Sequence, residues 1–172
     1  MKIGVLTISD RASAGLYEDL SGPAIKKWLG KALTSDYELA SEIVPDGVQS
    51  VAAALVDLAD FRKCGLILTT GGTGPAPTDE TPEAMIRILD KELAGFGEQM
   101  RTASLEQTPT AILSRQMAGI RGRTLIINLP GKPAAIDVCL ASVFGAVPYC
   151  LDLIGGGHID TDPDFIRSFR PC

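Results

Sequence analysis

The sequence predicts an α/β fold: a three-layer sandwich with a mostly parallel central sheet and helices on both faces. Apolar runs at 2–9, 64–70 and 124–129 show little polar alternation, which is typical of strands buried on both faces. Helical periods of apolar residues separate these runs, and a glycine-rich loop follows the second run directly. Strands that alternate with helices imply right-handed crossovers around a parallel sheet.

The remaining elements follow in chain order. Segment 37–44 alternates more than the other runs and is predicted as a strand near the sheet edge. From 96 to 121 the helical pattern continues with a break at Pro109, and 111–117 is predicted as a second helical piece. Further helices are predicted at 134–147, ended by Pro148, and at 149–154. The apolar stripes that predict the first three helices are Ala24, Ile25, Trp28, Leu29 and Leu33; Val48, Val51, Ala52, Leu55 and Leu58; and Met85, Ile86, Leu89 and Leu93.

Length and composition favour one domain over 1–172, with 160–172 as a polar surface tail. The chain has 172 residues, of which 45% are hydrophobic, enough for a core without disulfides or metals. No apolar run is expected to reach the roughly 20 residues that span a bilayer, and the N-terminus enters a strand rather than a signal peptide. Four widely separated cysteines fit reduced thiols. A cytoplasmic location is therefore expected.

The net charge of −5 disfavours binding to nucleic acid or to an anionic membrane, because both depend on a basic surface. A phosphate ligand would instead be held locally, by backbone amides, a few basic side chains or a divalent cation.

Ligands of open α/β sheets bind beyond the carboxyl ends of the strands, so the loops at these ends carry the candidate site. The four strand-end loops are predicted at 9–13, at 45–47, at 69–74 with Asp79, and at 128–133. Each holds polar or charged residues, although a purely structural connection could use any turn residues. The candidate ligand-binding residues are Ser9, Arg11, Thr70, Gly71, Gly72, Thr73, Gly74, Glu83, Ser114, Asn128, Pro130, Gly131 and Lys132.

The glycine loop at 69–74, with the sequence Thr-Thr-Gly-Gly-Thr-Gly, is the strongest of these signals. Its amides and the helix start at Thr81-Pro82 form a place for an anion, with Thr81 as the predicted N-cap. A tight turn without a ligand is the alternative. The loop lacks the Gly-Lys-Ser/Thr end of a Walker A motif, and its spacing does not fit a dinucleotide fingerprint.

Asp46 and Asp79 are the candidate catalytic and metal-binding residues. Both follow predicted strands, and two carboxylates beside a phosphate-binding loop suit Mg²⁺, which prefers oxygen ligands. Each has a structural alternative: Asp46 as a turn residue or helix N-cap, and Asp79 as an Asx-turn residue. Glu83 could likewise only complement the helix dipole.

A histidine-dependent mechanism is disfavoured, because the one histidine, His158, follows three glycines in a predicted surface segment. Phosphoryl or nucleotidyl transfer needs mainly positioning and charge neutralisation. Arg11 and Lys132 are the basic residues placed to hold phosphates, with ordinary surface roles as the alternative. Ser114-Arg115 is a weaker candidate for a second ligand subsite.

Taken together, these motifs resemble the molybdopterin adenylyltransferases of the Mog type. The resemblance rests on the glycine loop with Asp79-x-Thr81-Pro82, on Gly-Phe-Gly-Glu at 95–98, and on further matching segments. These are 7–13, 43–46, 110–115 and 128–133.

The resemblance implies a homotrimer that uses ATP and Mg²⁺ to adenylate the phosphate of molybdopterin and release pyrophosphate. Asp46 and Asp79 would match the catalytic and metal-associated aspartates, and the 70–74 and 128–132 loops the nucleotide and pterin site. A transient contact with the molybdenum-insertion protein is also implied. The alternative is a non-catalytic, trimeric molybdopterin-binding module, which the presence of both aspartates disfavours.

Overall fold

The computed structural model describes residues 1–171, and six strands in these residues form one sheet. The strands lie in the order β2-β1-β3-β6-β5-β4. Their bounds are β1 Lys2–Ile8, β2 Glu38–Val44, β3 Leu66–Thr70, β4 Lys91–Glu92, β5 Ala118–Arg121 and β6 Thr124–Leu129. Strands β2, β1, β3 and β6 run parallel, whereas β5 is antiparallel to both β6 and β4.

Seven α-helices lie within the same residues. Their bounds are α1 Asp10–Ser13, α2 Ser21–Ala32, α3 Val48–Val56, α4 Thr81–Ile88, α5 Ala94–Leu105, α6 Pro133–Val143 and α7 Val147–Ile154. A π-helical turn, Asp57–Phe61, extends α3, and 3₁₀ turns occur at Pro109–Leu113 and Phe144–Ala146.

The sheet lies between two helix layers, which confirms the predicted fold class. Helices α2, α5, α6 and α7 contribute to one hydrophobic core, and α3 and α4 contribute to the other. Strand β3 supplies both: Leu66 and Leu68 face the first layer, whereas Ile67 faces the second. All five residues of β3 are buried, as expected for an apolar run without polar alternation. Strand β2 is an edge strand, as its alternation predicted.

The predicted helical continuation through 111–121 is wrong. After the 3₁₀ turn the chain becomes extended and forms β5, which pairs with β6 through a hairpin that turns at Gly122 (φ +55°). Gly119 lets β5 approach its neighbours, since a Cβ there would lie 2.5 Å from the Lys91 carbonyl oxygen. At four and two residues, β5 and β4 are too short to show a period of two in the sequence.

Three predicted helix boundaries also differ. Helix α4 begins at Thr81 itself, whose hydroxyl donates to the Gly71 carbonyl oxygen (3.0 Å) instead of capping the helix. The same helix ends at Ile88, so Leu93 lies outside it. Pro148 lies in the first turn of α7 rather than ending α6, because proline has no N–H and its fixed φ suits a first turn.

The expectation that no apolar run reaches membrane-spanning length is wrong for one stretch. Pro133–Ile154, through α6 and α7, has 22 residues and a mean hydropathy of 1.8, and meets that criterion by length and composition alone. Its side chains Ile136, Leu140, Val147 and Leu151 are buried in the first core. Packing on the sheet therefore accounts for part of the apolar composition, since 44% of the apolar window is buried.

The C-terminal segment contacts the body of the protein at several points. Thr161 forms a bridge with Leu33, and the Phe165 ring packs edge-on against Trp28 with 5.5 Å between centroids. Ile166 packs partly buried against the first core. The assignment of 160–172 as a surface tail of a single domain stays a prediction, and Cys172 lies outside the described residues.

Gly65→Ala tests the close packing at the amino end of β3. A Cβ at this buried position would lie 1.8 Å from the Gly156 carbonyl oxygen, so the backbone must shift. We expect a loss of about 2 kcal/mol or more in the free energy of unfolding, measured by denaturant titration. Gly95→Ala is the control, because its Cβ meets nothing within 4 Å, and it should stabilise helix α5 by about 0.5 kcal/mol. Equal stabilities of the two variants would contradict the packing described.

Candidate active site at the carboxyl edge of the sheet

The four parallel strands end at one edge of the sheet. Thr7 pairs with Thr70, Thr70 pairs with Leu129, and Ile8 pairs with Val44, so the strand ends are level. The connection from β2 to β3 passes β1, so the winding of the chain reverses beside β1. Crevices for ligands form at such a reversal, beyond the carboxyl ends of the strands.

The glycine loop closes against its neighbours in a way that side chains would prevent. Gly71 (φ +104°) would place a Cβ 2.2 Å from the Ile8 carbonyl oxygen at the end of β1. Gly72 (φ +62°) would place one 2.2 Å from the Thr81 hydroxyl at the start of α4. The Thr81 amide also donates to the Gly72 carbonyl oxygen (3.1 Å). The loop is therefore held between β1 and α4 by contacts that only glycine permits.

Asp46 is paired with Asp10 across the first two loops. The Asp10 amide donates to Asp46 Oδ2 (2.8 Å), and the Asp46 amide donates to Asp10 Oδ1 (3.0 Å). The other oxygen of Asp46, Oδ1, lies 3.5 Å from the Cβ position of Gly72. The two loops thus hold the Asp46 carboxylate against the glycine loop.

The electrostatics of Asp46 reflect the acids around it. Its pKa is raised above the ordinary value, first by burial and then by the charges of Asp10 and Asp79, while the hydrogen bond from the Asp10 amide lowers it. Asp79 is therefore near enough to act on Asp46. A cation at this position would relieve the repulsion among the three carboxylates.

Asp79 has a fixed position in the loop before α4. Its Oδ2 accepts from the Ala76 amide (3.0 Å), and its own amide donates to the Ala76 carbonyl oxygen (2.9 Å). The same Oδ2 lies 2.6 Å from the Cβ position of Gly74. Asp79 is thus a turn residue whose carboxylate also borders the glycine loop. Within residues 1–171, no three His, Cys, Asp or Glu side chains form a group able to hold a metal ion.

The loop after β6 lies beside the glycine loop. Thr70 Oγ1 donates to the Pro130 carbonyl oxygen (2.8 Å), and the Ser21 hydroxyl donates to that of Gly131 (2.7 Å). Lys132 is exposed at the start of α6. Asn128 is fully buried and donates to Thr69 Oγ1 (2.9 Å), so it joins β6 to β3 beneath the cleft.

A cleft of about 310 Å³ brings together six of the predicted ligand-binding residues. They are Thr73, Gly74, Ser114, Pro130, Gly131 and Lys132. The Ser114 hydroxyl donates to Gln116 Oε1 (2.7 Å), and Gln116 Nε2 lies 3.4 Å from the buried Cys139 Sγ. A larger cavity of about 680 Å³ lies against α5 and α6, and it contains none of the predicted site residues. The chemistry of the strand ends therefore favours the smaller cleft.

Ser9 and Arg11 lie at the rim formed by α1. Ser9 Oγ accepts from the Ala12 amide (3.3 Å) and so caps that short helix. The Arg11 guanidinium lies over the Tyr17 ring, 5.0 Å from its centroid. Arg11 is exposed, so it can turn towards an anion at this edge.

Glu83 and Arg115 form an ion pair beside the glycine loop. Arg115 Nη1 and Nη2 donate to the two carboxylate oxygens of Glu83, the second at 3.2 Å. This pairing lowers the pKa of Glu83 and raises that of Arg115. The Arg115 guanidinium, predicted as part of a ligand subsite, is thus directed to protein partners.

Sequence reasoning missed two features of this edge. Asp10 stood in the first loop without an assigned role, and its pairing with Asp46 joins residues 36 positions apart. Gln116 gave no signal, because it lies in a segment predicted as helix. An acid at equivalent positions after two neighbouring parallel strands could have indicated the Asp10–Asp46 pair.

The chain is similar to known proteins in both sequence and structure. The model of a family described as a probable molybdopterin binding domain matches residues 4–149. The molybdopterin adenylyltransferase of Helicobacter pylori is 53% identical over 98% of this chain and 96% of that protein. The enzyme of the same name from Escherichia coli is 45% identical over 99% and 94%. The crystal structure of the molybdopterin biosynthesis enzyme MoaB from Thermus thermophilus has a TM-score of 0.83 and 42% identity, and covers 92% of this chain and 99% of that one.

Asp46→Asn tests the electrostatic state of the site. The asparagine side chain keeps an oxygen that accepts from the Asp10 amide, but it removes the carboxylate charge. The pKa of the Asp46 carboxyl group is raised in the folded state. Protonated Asp46 contributes stability that is fully present below the unfolded pKa, about 3.9, and lost as pH rises through the folded pKa. We therefore expect a higher Tm than wild type at pH 7 and no difference near pH 3, measured by thermal unfolding across pH. The exposed Asp36→Asn should show no such pattern, and a lower Tm of Asp46→Asn at pH 7 would contradict the assignment.

Proposed function

The chain belongs to the family of probable molybdopterin binding domains, and we propose that it is a molybdopterin adenylyltransferase. In this reaction the protein transfers AMP from ATP to the phosphate of molybdopterin, giving adenylyl-molybdopterin and pyrophosphate. The observation that carries the proposal is the convergence of Asp46 and Asp79 on the glycine loop. Relatives that bear this activity in their names match nearly the whole chain, which disfavours the alternative of a non-catalytic binding module.

The proposed chemistry needs no base from the protein. An oxygen of the molybdopterin phosphate attacks the α-phosphorus of ATP, a new P–O bond forms, and the bond to the β-phosphate bridging oxygen breaks. Pyrophosphate leaves with the bonding electron pair. A phosphate monoester is largely ionised at pH 7, so the attacking oxygen carries no proton to remove. Catalysis then depends on positioning and on neutralisation of the polyphosphate charge.

We assign Mg²⁺ to the acids at this edge. Asp46 and Asp79 fit the cation, because their like negative charges repel each other beside the glycine loop. Mg²⁺ is commonly bound by one or two carboxylates together with substrate phosphates. When bound, Mg²⁺ would neutralise charge on the ATP phosphates. Asp10 holds Asp46 in place through the paired amide–carboxylate contacts.

The loops supply the remaining contacts of the proposal. The amides of Gly72 and Gly74 are assigned to the anion, as in other phosphate sites where a glycine loop precedes a helix. The Gly71 amide donates instead to the Leu129 carbonyl oxygen (3.3 Å). Lys132 and Arg11 are the basic side chains at the two sides of the edge, and we assign them to phosphates. Ser114, which lines the cleft, is assigned to the pterin or nucleotide. Asn128 supports the loop from below through its hydrogen bond to Thr69.

The assembly and location of the protein belong to the same proposal. We propose a homotrimer in the cytoplasm that passes its product to the molybdenum-insertion protein through a transient contact. Sedimentation of the purified chain would test the trimer.

The proposed activity is tested by mixing the protein with ATP, Mg²⁺ and molybdopterin and measuring pyrophosphate. Wild type should release pyrophosphate only when all three are present. Asp79→Asn should lower the rate about 100-fold or more, because the amide still accepts from Ala76 but no longer carries charge towards the metal.

The matched control is Asp90→Asn, since Asp90 Oδ2 also accepts a backbone amide, that of Gly122 (2.7 Å), at another part of the sheet. It should release pyrophosphate at the wild-type rate. A normal rate in Asp79→Asn would refute the metal role, and no pyrophosphate from wild type would refute the adenylyltransferase.

Lys132→Ala should mainly raise the apparent KM, because an exposed ammonium group at the rim binds substrate phosphate in the ground state and the transition state alike. Steady-state kinetics with each substrate varied in turn measures the effect. Lys27→Ala, an exposed lysine on α2, serves as the charge control. A fall in kcat with an unchanged KM would exclude the assigned role of Lys132.

A further inference from the structure

Arg115 contacts both the glycine loop and the start of α4, although it belongs to none of the four strand-end loops. Its amide donates to the Thr73 carbonyl oxygen (2.8 Å) and its Nε donates to that of Gly74 (3.0 Å). Its Nη2 donates to the Asp79 carbonyl oxygen, and both terminal nitrogens contact the Glu83 carboxylate. One residue therefore contacts four others spread along the segment 73–83.

These partners lie on both sides of an exposed loop. Residues 75–78 are exposed, and within the loop the Asp79 side chain and amide close a single turn onto Ala76. Arg115 joins the last glycine before this loop to the first turn of α4 after it. We call this set of contacts the Arg115 bridge: Arg115 with Thr73, Gly74, Asp79 and Glu83. Its geometry fixes the distance between the glycine loop and the backbone of Asp79.

The chemistry of the bridge requires a guanidinium. Arginine presents five N–H donors in a planar fork, and here they reach two carbonyl oxygens and a carboxylate at once. A lysine ammonium is a point charge on a flexible stem and cannot reproduce this arrangement. Because Glu83 already compensates its charge, Arg115 contributes position rather than net positive charge to the site.

We propose that Arg115 is a positioning residue, which holds Asp79 and the glycine loop in the arrangement that nucleotidyl transfer requires. This inference rests on the proposed function, since it concerns the same site. Displacing a catalytic group by about 1 Å can cost about 100-fold in rate even when the mutation lies away from the reacting atoms. Arg115 thus affects the reaction through the backbone of Asp79.

The test compares Arg115→Lys with Arg121→Lys. Arg121 makes a similar set of contacts elsewhere in the sheet, with Nε and Nη2 on the Asp60 carboxylate (3.1 and 2.5 Å) and Nη1 on the Ile88 carbonyl oxygen (2.8 Å). The two variants lose similar contacts, so a general effect on stability should appear in both. The readouts are kcat and KM for ATP, and hydrogen exchange of the amides in 73–83.

We expect Arg115→Lys to lower kcat about 10- to 100-fold with KM for ATP changed less than about threefold, and to speed amide exchange in 73–83. Arg121→Lys should keep kcat and the exchange of this segment at wild-type values. A raised KM with unchanged exchange would overturn the proposal, because it would make Arg115 a direct phosphate ligand. Unchanged kcat would also overturn it.

Glu83→Gln provides a second test if Arg115→Lys fails to fold. The amide keeps one acceptor for the guanidinium, so we expect a smaller loss of kcat and an intermediate speeding of exchange. Wild-type exchange and kcat in this variant would contradict the bridge. Hydrogen exchange needs no substrate, so it reports on the Arg115 bridge even if wild type releases no pyrophosphate and the proposed function fails.

Discussion

The site depends on one close approach of two backbones, between Gly71 and the carbonyl oxygen of Ile8. No side chain fits there, because a Cβ on Gly71 would lie 2.2 Å from that oxygen. The approach is possible because β1 and β3 are adjacent, parallel and level at their carboxyl ends. It brings the glycine loop within reach of Asp46, which comes from the far side of β1. Without this contact the Asp46 carboxylate would not lie against the glycine loop.

Around that contact, the polar groups of the edge fall into two sets. The carboxylates of Asp46 and Asp79 border the glycine loop. Thr70, Thr81 and Asn128 use their side chains to join backbone segments and strands. Some polar residues at the strand ends therefore line the candidate site, whereas others hold the loops and strands together. A hydroxyl or amide side chain in such a loop does not by itself indicate a ligand contact.

The sequence predicted the fold class because β1, β3 and β6 are long apolar runs and the helices between them keep a clear period. It failed at β4 and β5, which are too short for a pattern, and at Pro148, whose ring suits a helix start as well as an end. The strand-end acids were predicted from position alone. The contacts of Arg115 were not predicted, since the partners of its guanidinium lie 32 to 41 residues away. An arginine in the sequence is equally consistent with binding a ligand and with pairing to a carboxylate of the protein.

The pairing of Asp46 with Asp10 holds the carboxylate that we assign to Mg²⁺ at the end of an edge strand. Strand β2 has a neighbour on one side only, and Leu39 and Ile43 on it are 43% and 44% exposed. Outer strands open locally at lower free energy than central ones. Mild denaturant should therefore unfold β2 locally and inactivate the protein while β3 and β6 remain folded. The time for which the protein stays active would then depend on this edge strand rather than on the core.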